Sequence, residues 1–146
     1  MPRILIVNGP NLNLLGSREP AIYGSETLDV LNSRLTALAK EMQMELDFFQ
    51  SNHEGALVDY IQKEGPKADG LVLNAGALSH YSYALRDVIS AVKIPTAEVH
   101  ITNIAAREAF RHESVLSAVC IGTVSGFGLY GYAMALSYFA EPNEEN

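Results

Sequence analysis

The chain has 146 residues, of which 48% are hydrophobic and 18% charged, and its formal net charge is −7. This length and composition predict one globular domain over residues 1–146 rather than a disordered chain. The acidic balance and the lack of a Lys/Arg cluster disfavour a nucleic-acid surface, because phosphate backbones require grouped basic side chains. A few converging arginines could still bind a small anionic substrate.

The cysteine content and the absence of long apolar runs indicate the cellular compartment of the protein. Cys120 is the single cysteine, so no internal disulfide can form, and its thiol is expected to be a small buried hydrophobe. The N-terminus lacks a signal-peptide pattern, and no run of about 18 apolar residues could span a bilayer. We therefore expect a reduced, cytoplasmic protein with no membrane partner.

Strand-like apolar runs alternate with segments of helical periodicity along the chain. The predicted strands are residues 3–8, 45–50, 69–74, 94–100 and 117–121. The predicted helices are 27–42, 55–64, 83–91, a short 104–111 and 127–139, followed by a frayed polar tail at 141–146. Apolar strands joined by helices indicate a parallel sheet covered on both faces. Five such units predict a flavodoxin-like, doubly wound α/β fold in a single domain.

The longest connection is residues 9–24, GPNLNLLGSREPAIYG, between the first strand and the first helix. Connections of this kind usually have about 2–6 residues, and longer ones in compact domains are commonly lids or binding loops. Asn11, Arg18 and Tyr23 lie in this segment among glycines and prolines. It is predicted to form the wall of an active site, with residues 17–25 as its lid.

Polar side chains also follow the ends of the predicted strands, at Asn11, Asn74, His80, Glu98, His100 and Thr102. The carboxyl ends of parallel strands meet at one edge of the sheet, where ligands bind in this architecture. Glu98 and His100 are two residues apart, so they project to the same face of a strand. A carboxylate beside an imidazole can fix its tautomer and suit it to act as a general acid. A histidine bonded only for packing is the alternative, and this spacing leaves both open.

Tyr23 shares the long connection with Arg18. A tyrosine phenol is ionised in only about one molecule in a thousand at neutral pH. A guanidinium next to the phenol in a dry site would favour the ionised form and so create a base. The alternative is a loop tyrosine that is buried for its area and has a free hydroxyl.

Arg107 and Arg111 are four residues apart and would share one face of the predicted helix 104–111. A planar guanidinium on this face could bind a substrate carboxylate. Pairing with Glu108, with Glu113 or with a neighbouring subunit is equally compatible with the spacing. We expect the two arginines to differ in which of these they do.

Several common chemistries lack their motifs. The chain has no phosphate-binding GxxxxGK[ST] loop, and it has neither an HExxH motif nor a cysteine cluster for a metal. The segment GFGLYG at 126–131 formally matches GxGxxG, but it lies too near the C-terminus for a nucleotide-binding unit, and close helix packing explains it better. No lysine falls in the polar cluster, so a Schiff-base mechanism has no evident nucleophile.

Six segments, in chain order, resemble type II 3-dehydroquinate dehydratase. They are GPNLNLLGSREPAIYG at 9–24, QSNHEG at 50–55, NAGALSHYSYALRD at 74–87, EVHITN at 98–103, AREAFRHES at 106–114 and VSGFGLYGYAMAL at 124–136. The resemblance covers nearly the whole chain. It implies a metal-free and cofactor-free hydro-lyase that converts 3-dehydroquinate to 3-dehydroshikimate. This reaction serves the shikimate pathway of aromatic amino acid biosynthesis and also a catabolic pathway, and the resemblance leaves both open.

The resemblance also implies roles for individual residues. Tyr23 would be the base, made a tyrosinate by the lid residue Arg18. His100 would be the general acid, oriented by Glu98, and Asn11 would lie near a water that stabilises an enolate. The implied substrate-binding residues are Asn74, His80, Ile101, Thr102, Arg107 and Arg111, with Asp87 reaching the site of a neighbouring subunit. The family typically forms trimers assembled into dodecamers, so a homododecamer is expected.

Two other classes compete with this interpretation. A flavin carrier would need a phosphate-cradling loop after the first strand, and a response regulator would need an acidic pair there and a phosphorylatable Asp after the third. Residues 9–11 and Asn74 supply neither. A non-catalytic assembly module is the second alternative, suggested by the apolar and tyrosine-rich last helix. Thr102 stands where the family more often has Ser, and it keeps the hydroxyl.

Overall fold

The computed structural model describes residues 1–140, so the tail predicted at 141–146 lies outside the described residues. One parallel sheet contains β1 (Arg3–Asn8), β2 (Glu45–Gln50), β3 (Gly70–Asn74), β4 (Thr96–His100) and β5 (Gly122–Ser125). The strand order is β2-β1-β3-β4-β5, which is the flavodoxin-like order, with its switch point between β1 and β3. The predicted fold class, a five-stranded doubly wound parallel sheet, is confirmed.

Helices cover both faces of this sheet. They are α2 (Leu28–Glu41), α3 (Glu54–Glu64), α4 (Tyr83–Val92) and α5 (Tyr130–Tyr138), while the four-residue helix α1 (Pro20–Tyr23) lies in the connection after β1. Successive side chains of a strand point to opposite faces, so Ile4 and Ile6 of β1 pack with α2 and α5, whereas Leu5 and Val7 pack with α3 and α4. Each fully buried aliphatic side chain contributes about 1.5–3 kcal/mol, so both layers stabilise the central strands.

Hydroxyl caps fix where two of the helices begin. Thr27 Oγ1 accepts a hydrogen bond from the backbone N–H of Val30 at 3.2 Å, and Ser82 Oγ accepts one from Leu85 at 3.1 Å. Caps of this kind are worth about 1 kcal/mol each. Because Thr27 and Ser82 follow the connections after β1 and β3, they fix the points at which those connections end.

The fifth strand lies later in the chain than predicted, at Gly122–Ser125 instead of 117–121. Ser117–Val119 forms a 3-10 turn, and Cys120 packs against the layer that contains α3 and α4. Pairing with β4 runs from Ala97 opposite Gly122 to His100 opposite Ser125. The prediction was wrong because β5 is a half-exposed edge strand with polar residues, while the apolar run before it packs without pairing.

The prediction of a helix over residues 104–111 is also wrong. This segment contains two 3-10 turns, Ile104–Ala106 and Ala109–Arg111, with Arg107 between them in an extended conformation at φ −109° and ψ −164°. The carbonyl oxygen of Arg107 lies 2.8 Å from Nε2 of His112, so a side chain takes the place of a helical N–H.

The last helix begins at Tyr130 rather than at residue 127. Gly126, Phe127 and Gly128 have φ values of 87°, 63° and 58°, and this left-handed backbone cannot continue into a right-handed helix. The bounds of β1 to β4 and of α2 to α4 agree with the predictions to within two residues, whereas the short helix α1 was not predicted. Within residues 1–140, no helix combines the length and the apolar character needed to cross a membrane.

Candidate active site

A cleft opens beyond the carboxyl ends of β1, β3 and β4. It encloses about 480 Å³ of empty space including its open mouth. Ten of the twelve predicted site residues line it: Asn11, Arg18, Tyr23, Asn74, His80, His100, Ile101, Thr102, Arg107 and Arg111. Of the other two, Glu98 is fully buried against His100, and Asp87 is exposed on α4 outside the cleft.

The connection 9–24 forms one wall of the cleft. Leu12 and Leu15 anchor its first half in the core, and the backbone N–H of Asn11 donates to Oδ1 of Asn52 at 2.9 Å. Gly9 is required for close approach, because a Cβ there would lie 2.5 Å from the carbonyl oxygen of Ala75. Residues 17–24 are exposed or half-buried. The wall is therefore fixed, whereas the predicted lid lies at the surface, and its closure stays a prediction.

Two guanidinium groups flank the phenol of Tyr23. Nη1 of Arg107 donates to the phenol oxygen at 2.8 Å and lies 3.3 Å from Oγ1 of Thr102. The guanidinium carbon of Arg18 lies over the ring, 4.4 Å from its centroid. One positive charge therefore lies at the phenol oxygen and the other over the ring. From the sequence, Arg18 was expected to be the charged partner of this phenol, but the N–H at the oxygen belongs to Arg107.

Glu98 and His100 form a buried pair at the end of β4. Nε2 of His100 lies 2.5 Å from Oε2 of Glu98, and Oε1 of Glu98 accepts from Oγ of Ser117 at 2.7 Å. Burial raises the pKa of Glu98, but hydrogen bonds from His100, Ser114 and Ser117 outweigh it, so the pKa is lowered. The carboxylate can accept only, so Nε2 carries a proton, and Nδ1 is the ring nitrogen left for a ligand.

His80 lies beside this pair. Its Nδ1 is 2.7 Å from the carbonyl oxygen of Glu113, and since a carbonyl can only accept, Nδ1 is the donor. Nε2 of His80 is then the atom available to a ligand. The ring centroids of His80 and His100 are 6.0 Å apart with an angle of 21° between the planes.

Arg111 reaches the cleft from the second 3-10 turn. Its Nε lies 3.1 Å from Oε1 of Glu108, and its guanidinium carbon is 4.6 Å from the ring centroid of Phe110. Arg107 lies 3.7 Å from the same carboxylate but donates to Tyr23. The expectation that the two arginines differ therefore agrees with their contacts.

Sequence reasoning missed a polar network beneath the cleft. Nδ2 of Asn74 donates to the hydroxyl of Tyr132 at 2.8 Å, and Oδ1 of Asn74 accepts from the backbone N–H of Gly76 at 3.1 Å. Tyr132 is completely buried. A tyrosine instead of a phenylalanine inside an apolar helix was the available signal, because a buried hydroxyl usually has a partner.

Metal and nucleotide sites can be considered on the same geometry. Within residues 1–140, no group of three or more His, Cys, Asp or Glu side chains is arranged to hold a metal ion. Gly131, the last glycine of GFGLYG, packs in α5 against β5, where a Cβ would lie 3.2 Å from Cγ1 of Val124. Close packing therefore accounts for this glycine.

Comparison with known proteins identifies the family. The model of the family described as "Dehydroquinase class II" matches residues 2–140. The chain belongs to this family. A relative from Bacillus licheniformis, named 3-dehydroquinate dehydratase, is 54% identical over 145 residues, which is 99% of this chain and 100% of the relative.

Solved structures of the family have the same fold. The type II dehydroquinase from Butyrivibrio crossotus DSM 2876 is 47% identical with a TM-score of 0.92, covering 94% of this chain and 96% of that one. The type II dehydroquinase from Propionibacterium acnes is 44% identical with a TM-score of 0.92, covering 96% and 97%. The predicted family and the predicted enzyme class, a hydro-lyase, are confirmed. Membership of the dehydroquinase family decides against the carrier, regulator and assembly-module alternatives.

The roles predicted for individual side chains stay predictions, although most of these side chains lie together. Asp87 is the exception, since nothing in a single chain brings it to the cleft.

Proposed function

We propose that this chain removes water from 3-dehydroquinate to give 3-dehydroshikimate by a stepwise anti elimination through an enolate. The names of the relatives support the substrate and the loss of water. The observation that carries the mechanism is that the Tyr23 phenol and the His100 imidazole line one cleft, each beside its own charged partner. The reaction as proposed needs no cofactor.

Tyr23 is the base. As a phenolate, it takes the C2 proton alpha to the ketone, and the electron pair of that C–H bond moves into the enolate. The guanidiniums of Arg107 and Arg18 stabilise the negative oxygen before this transfer. A water held near Asn11 donates to the enolate oxygen and limits the charge that develops there.

His100 is the acid in the second step. The enolate collapses to a C1–C2 double bond, the C1–O bond breaks, and the departing hydroxyl leaves as water with a proton from His100. Glu98 accepts from Nε2 and holds the imidazole in place, so the transferred proton is the one on Nδ1. Because the two proton transfers use separate groups, one group can act as a base while the other acts as an acid.

Three arginines give the cleft a positive character that the net charge of −7 conceals. We assign the substrate carboxylate to Arg111 and to the main chain of Ile101 and Thr102. The ring hydroxyls contact His80 and Asn74. Closure of residues 17–25 brings Arg18 and Tyr23 over the bound ring and excludes water.

The proposal extends to assembly and location. Asp87 lies outside its own cleft and is proposed to reach the site of a neighbouring subunit in a homododecamer of trimers, in the cytoplasm and without a nucleic-acid partner. Exposed Tyr81 and Tyr83 near Asp87 are candidates for burial between subunits. Sedimentation velocity gives the assembly mass directly, and a monomer at micromolar concentration would contradict this part of the proposal.

The decisive experiment follows the conjugated enone of the product by its absorbance. The wild-type chain is expected to produce it from 3-dehydroquinate and to stay active after borohydride treatment, since no imine forms. Tyr23→Phe should lower kcat at least about 10³-fold while substrate still binds, within the range attributed to general base catalysis. Tyr60→Phe, which removes a phenol oxygen on α3 away from the cleft, is the control. Near-wild-type turnover by Tyr23→Phe would refute the assignment.

A further inference from the structure

A buried hydroxyl links the last helix to the cleft. Tyr132 of α5 is 0% exposed, and its hydroxyl donates to Oδ1 of Asn8 at 2.6 Å and accepts from Nδ2 of Asn74 at 2.8 Å. Asn8 and Asn74 are the last residues of β1 and β3 and lie opposite each other in the sheet. Of these three residues, only Asn74 lines the cleft. A side chain that cannot touch substrate is therefore bonded to one that can.

The directions of these hydrogen bonds follow from one backbone group. The N–H of Gly76 can only donate, and it lies 3.1 Å from Asn74, so the atom that faces it is Oδ1. Nδ2 of Asn74 then faces Tyr132, and because an amide nitrogen can only donate, the phenol oxygen accepts. The hydrogen of the Tyr132 hydroxyl is left for Asn8, whose facing atom must be oxygen.

Gly76 is itself constrained to supply this N–H. Its φ of +62° is left-handed, and a Cβ on it would lie 3.1 Å from the carbonyl oxygen of Pro10. A glycine therefore permits the tight turn after β3 that brings the N–H onto Asn74. The amide of Asn74 is held at both ends, by Gly76 at the oxygen and by Tyr132 at the nitrogen.

We propose that Tyr132 is a positioning residue that locks the Asn74 amide so that one N–H of Nδ2 faces the substrate. Nδ2 carries two N–H groups, and Tyr132 takes one of them. The second is presented to the cleft as a donor of fixed direction, which suits a hydroxyl or carbonyl oxygen of the substrate. This inference rests on the proposed function, and it adds a residue in α5 that acts without contact with the ligand.

The surroundings of Tyr132 keep its hydroxyl in the required state. Burial raises the pKa of the Tyr132 phenol well above its ordinary value. The hydroxyl therefore keeps the proton that it donates to Asn8 at any pH used for an assay. Its two partners come from neighbouring central strands, so neither can move away without disturbing the sheet.

The test uses Tyr132→Phe, which removes one oxygen and leaves the ring in place. Wild-type turnover of 3-dehydroquinate is measured first, because its absence would refute the proposed function and not this inference. With the wild type active, KM of Tyr132→Phe should rise about tenfold, equivalent to ~1.4 kcal/mol. A positioning role in binding also predicts that kcat changes by less than about threefold.

Thr96→Val is the matched control. It also removes a completely buried hydroxyl, one that donates to the carbonyl oxygen of Ile94 at 2.9 Å, but at the end of β4 remote from His100. Its melting temperature should fall as that of Tyr132→Phe does, with KM unchanged. An equal rise in KM for both variants would mean that general loss of stability is responsible, and would overturn the inference.

A double-mutant cycle tests whether the effect passes through Asn74. In an Asn74→Ala background, Tyr132→Phe should cause no further change in kcat/KM, because the amide that it positions is gone. A full tenfold effect in that background would overturn the inference. If Tyr132→Phe does not fold, Asn8→Ala loosens the same hydroxyl from its other side and should raise KM severalfold. An unchanged KM in Asn8→Ala would then count against the proposal.

Discussion

The two reacting groups proposed for this enzyme are held in different ways. His100 is the last residue of β4, is 5% exposed and is bonded to a completely buried carboxylate. Tyr23 ends a four-residue helix in a surface connection, and its two guanidinium partners come from separate segments. The acid is thus built into the sheet, whereas the base is assembled from connections. We expect this division to leave the acid in place while the proposed lid moves.

On the rigid side of this comparison, we expect an effect as large as that of Tyr23→Phe. His100→Ala removes the proton donor for the departing hydroxyl, so kcat should fall about 10³-fold. Steady-state kinetics with 3-dehydroquinate measures it. His53→Ala is the control, since His53 precedes α3 and its side chain makes no capping bond. A fall of only a few-fold in His100→Ala would mean that another group protonates the leaving oxygen.

Next in size are changes on the assembled side. Arg107→Gln and Arg18→Gln should each lower kcat by about 10²-fold, because each removes a charge that stabilises the same phenolate. The double variant should lose less than the product of the single effects, since both residues act on Tyr23. Kinetics of the three variants at one pH gives the coupling. Fully multiplicative losses would indicate that the two arginines serve different atoms.

A smaller effect concerns the carboxylate behind the acid. The pKa of Glu98 is lowered in the folded chain, so its stabilising contribution is present above about 4.3, the ordinary value of a glutamate, and is lost as the pH falls further. Ser117→Ala removes one donor to Glu98, so the free energy of unfolding should fall by about 1.5 kcal/mol at pH 7.

This difference between wild type and Ser117→Ala should shrink below about pH 4 as Glu98 becomes protonated. Urea unfolding at pH 7 and pH 3, at one subunit concentration, measures it. Ser137→Ala, which removes an exposed hydroxyl bonded within α5, should change stability little at either pH. A Ser117→Ala penalty that is the same at both pH values would disconnect Ser117 from the charge of Glu98.

The smallest predicted effect is on the reactivity of the Cys120 thiol, which reports how far water reaches the surroundings of Glu98. Burial, with the charge of Glu98 adding to it, raises the pKa of Cys120 to about 12. The thiol should therefore resist iodoacetamide at pH 8 and react quickly once the chain is unfolded in urea. Mass spectrometry of the intact chain gives the extent of labelling. Rapid labelling of the folded enzyme would show that water reaches Cys120 and the neighbouring Glu98.

Sequence alone predicted the features that depend on local pattern. The four strands with apolar runs, the helix that Thr27 caps and the cluster of polar residues at strand ends are of this kind. Glu98 and His100 could be paired because a strand has a period of two residues. The edge strand β5 was missed since its residues are polar, and half-buried strands at an edge need no apolar run.

Contacts between distant parts of the chain could not be predicted from local sequence patterns. Arg107 bonds to a residue 84 positions earlier, and Tyr132 bonds to one 124 positions earlier. No period or spacing encodes such pairs, because they depend on how α5 and the turn after β4 pack on the finished sheet. The resemblance placed Arg107 in the site, and nothing in the sequence placed Tyr132 there.

The extended backbone at Arg107 has a consequence for engineering. In a continuous helix the two arginines of this segment would stand one above the other and compete for the same ligand atoms. The break separates them, so that Arg107 donates to the enzyme's own phenol while Arg111 lines the cleft, where we propose that it binds the incoming anion. Substitutions that improve helix propensity are ordinarily a safe way to gain stability. Between Ile104 and Arg111, however, we expect them to bring both arginines to one position and so to slow the reaction.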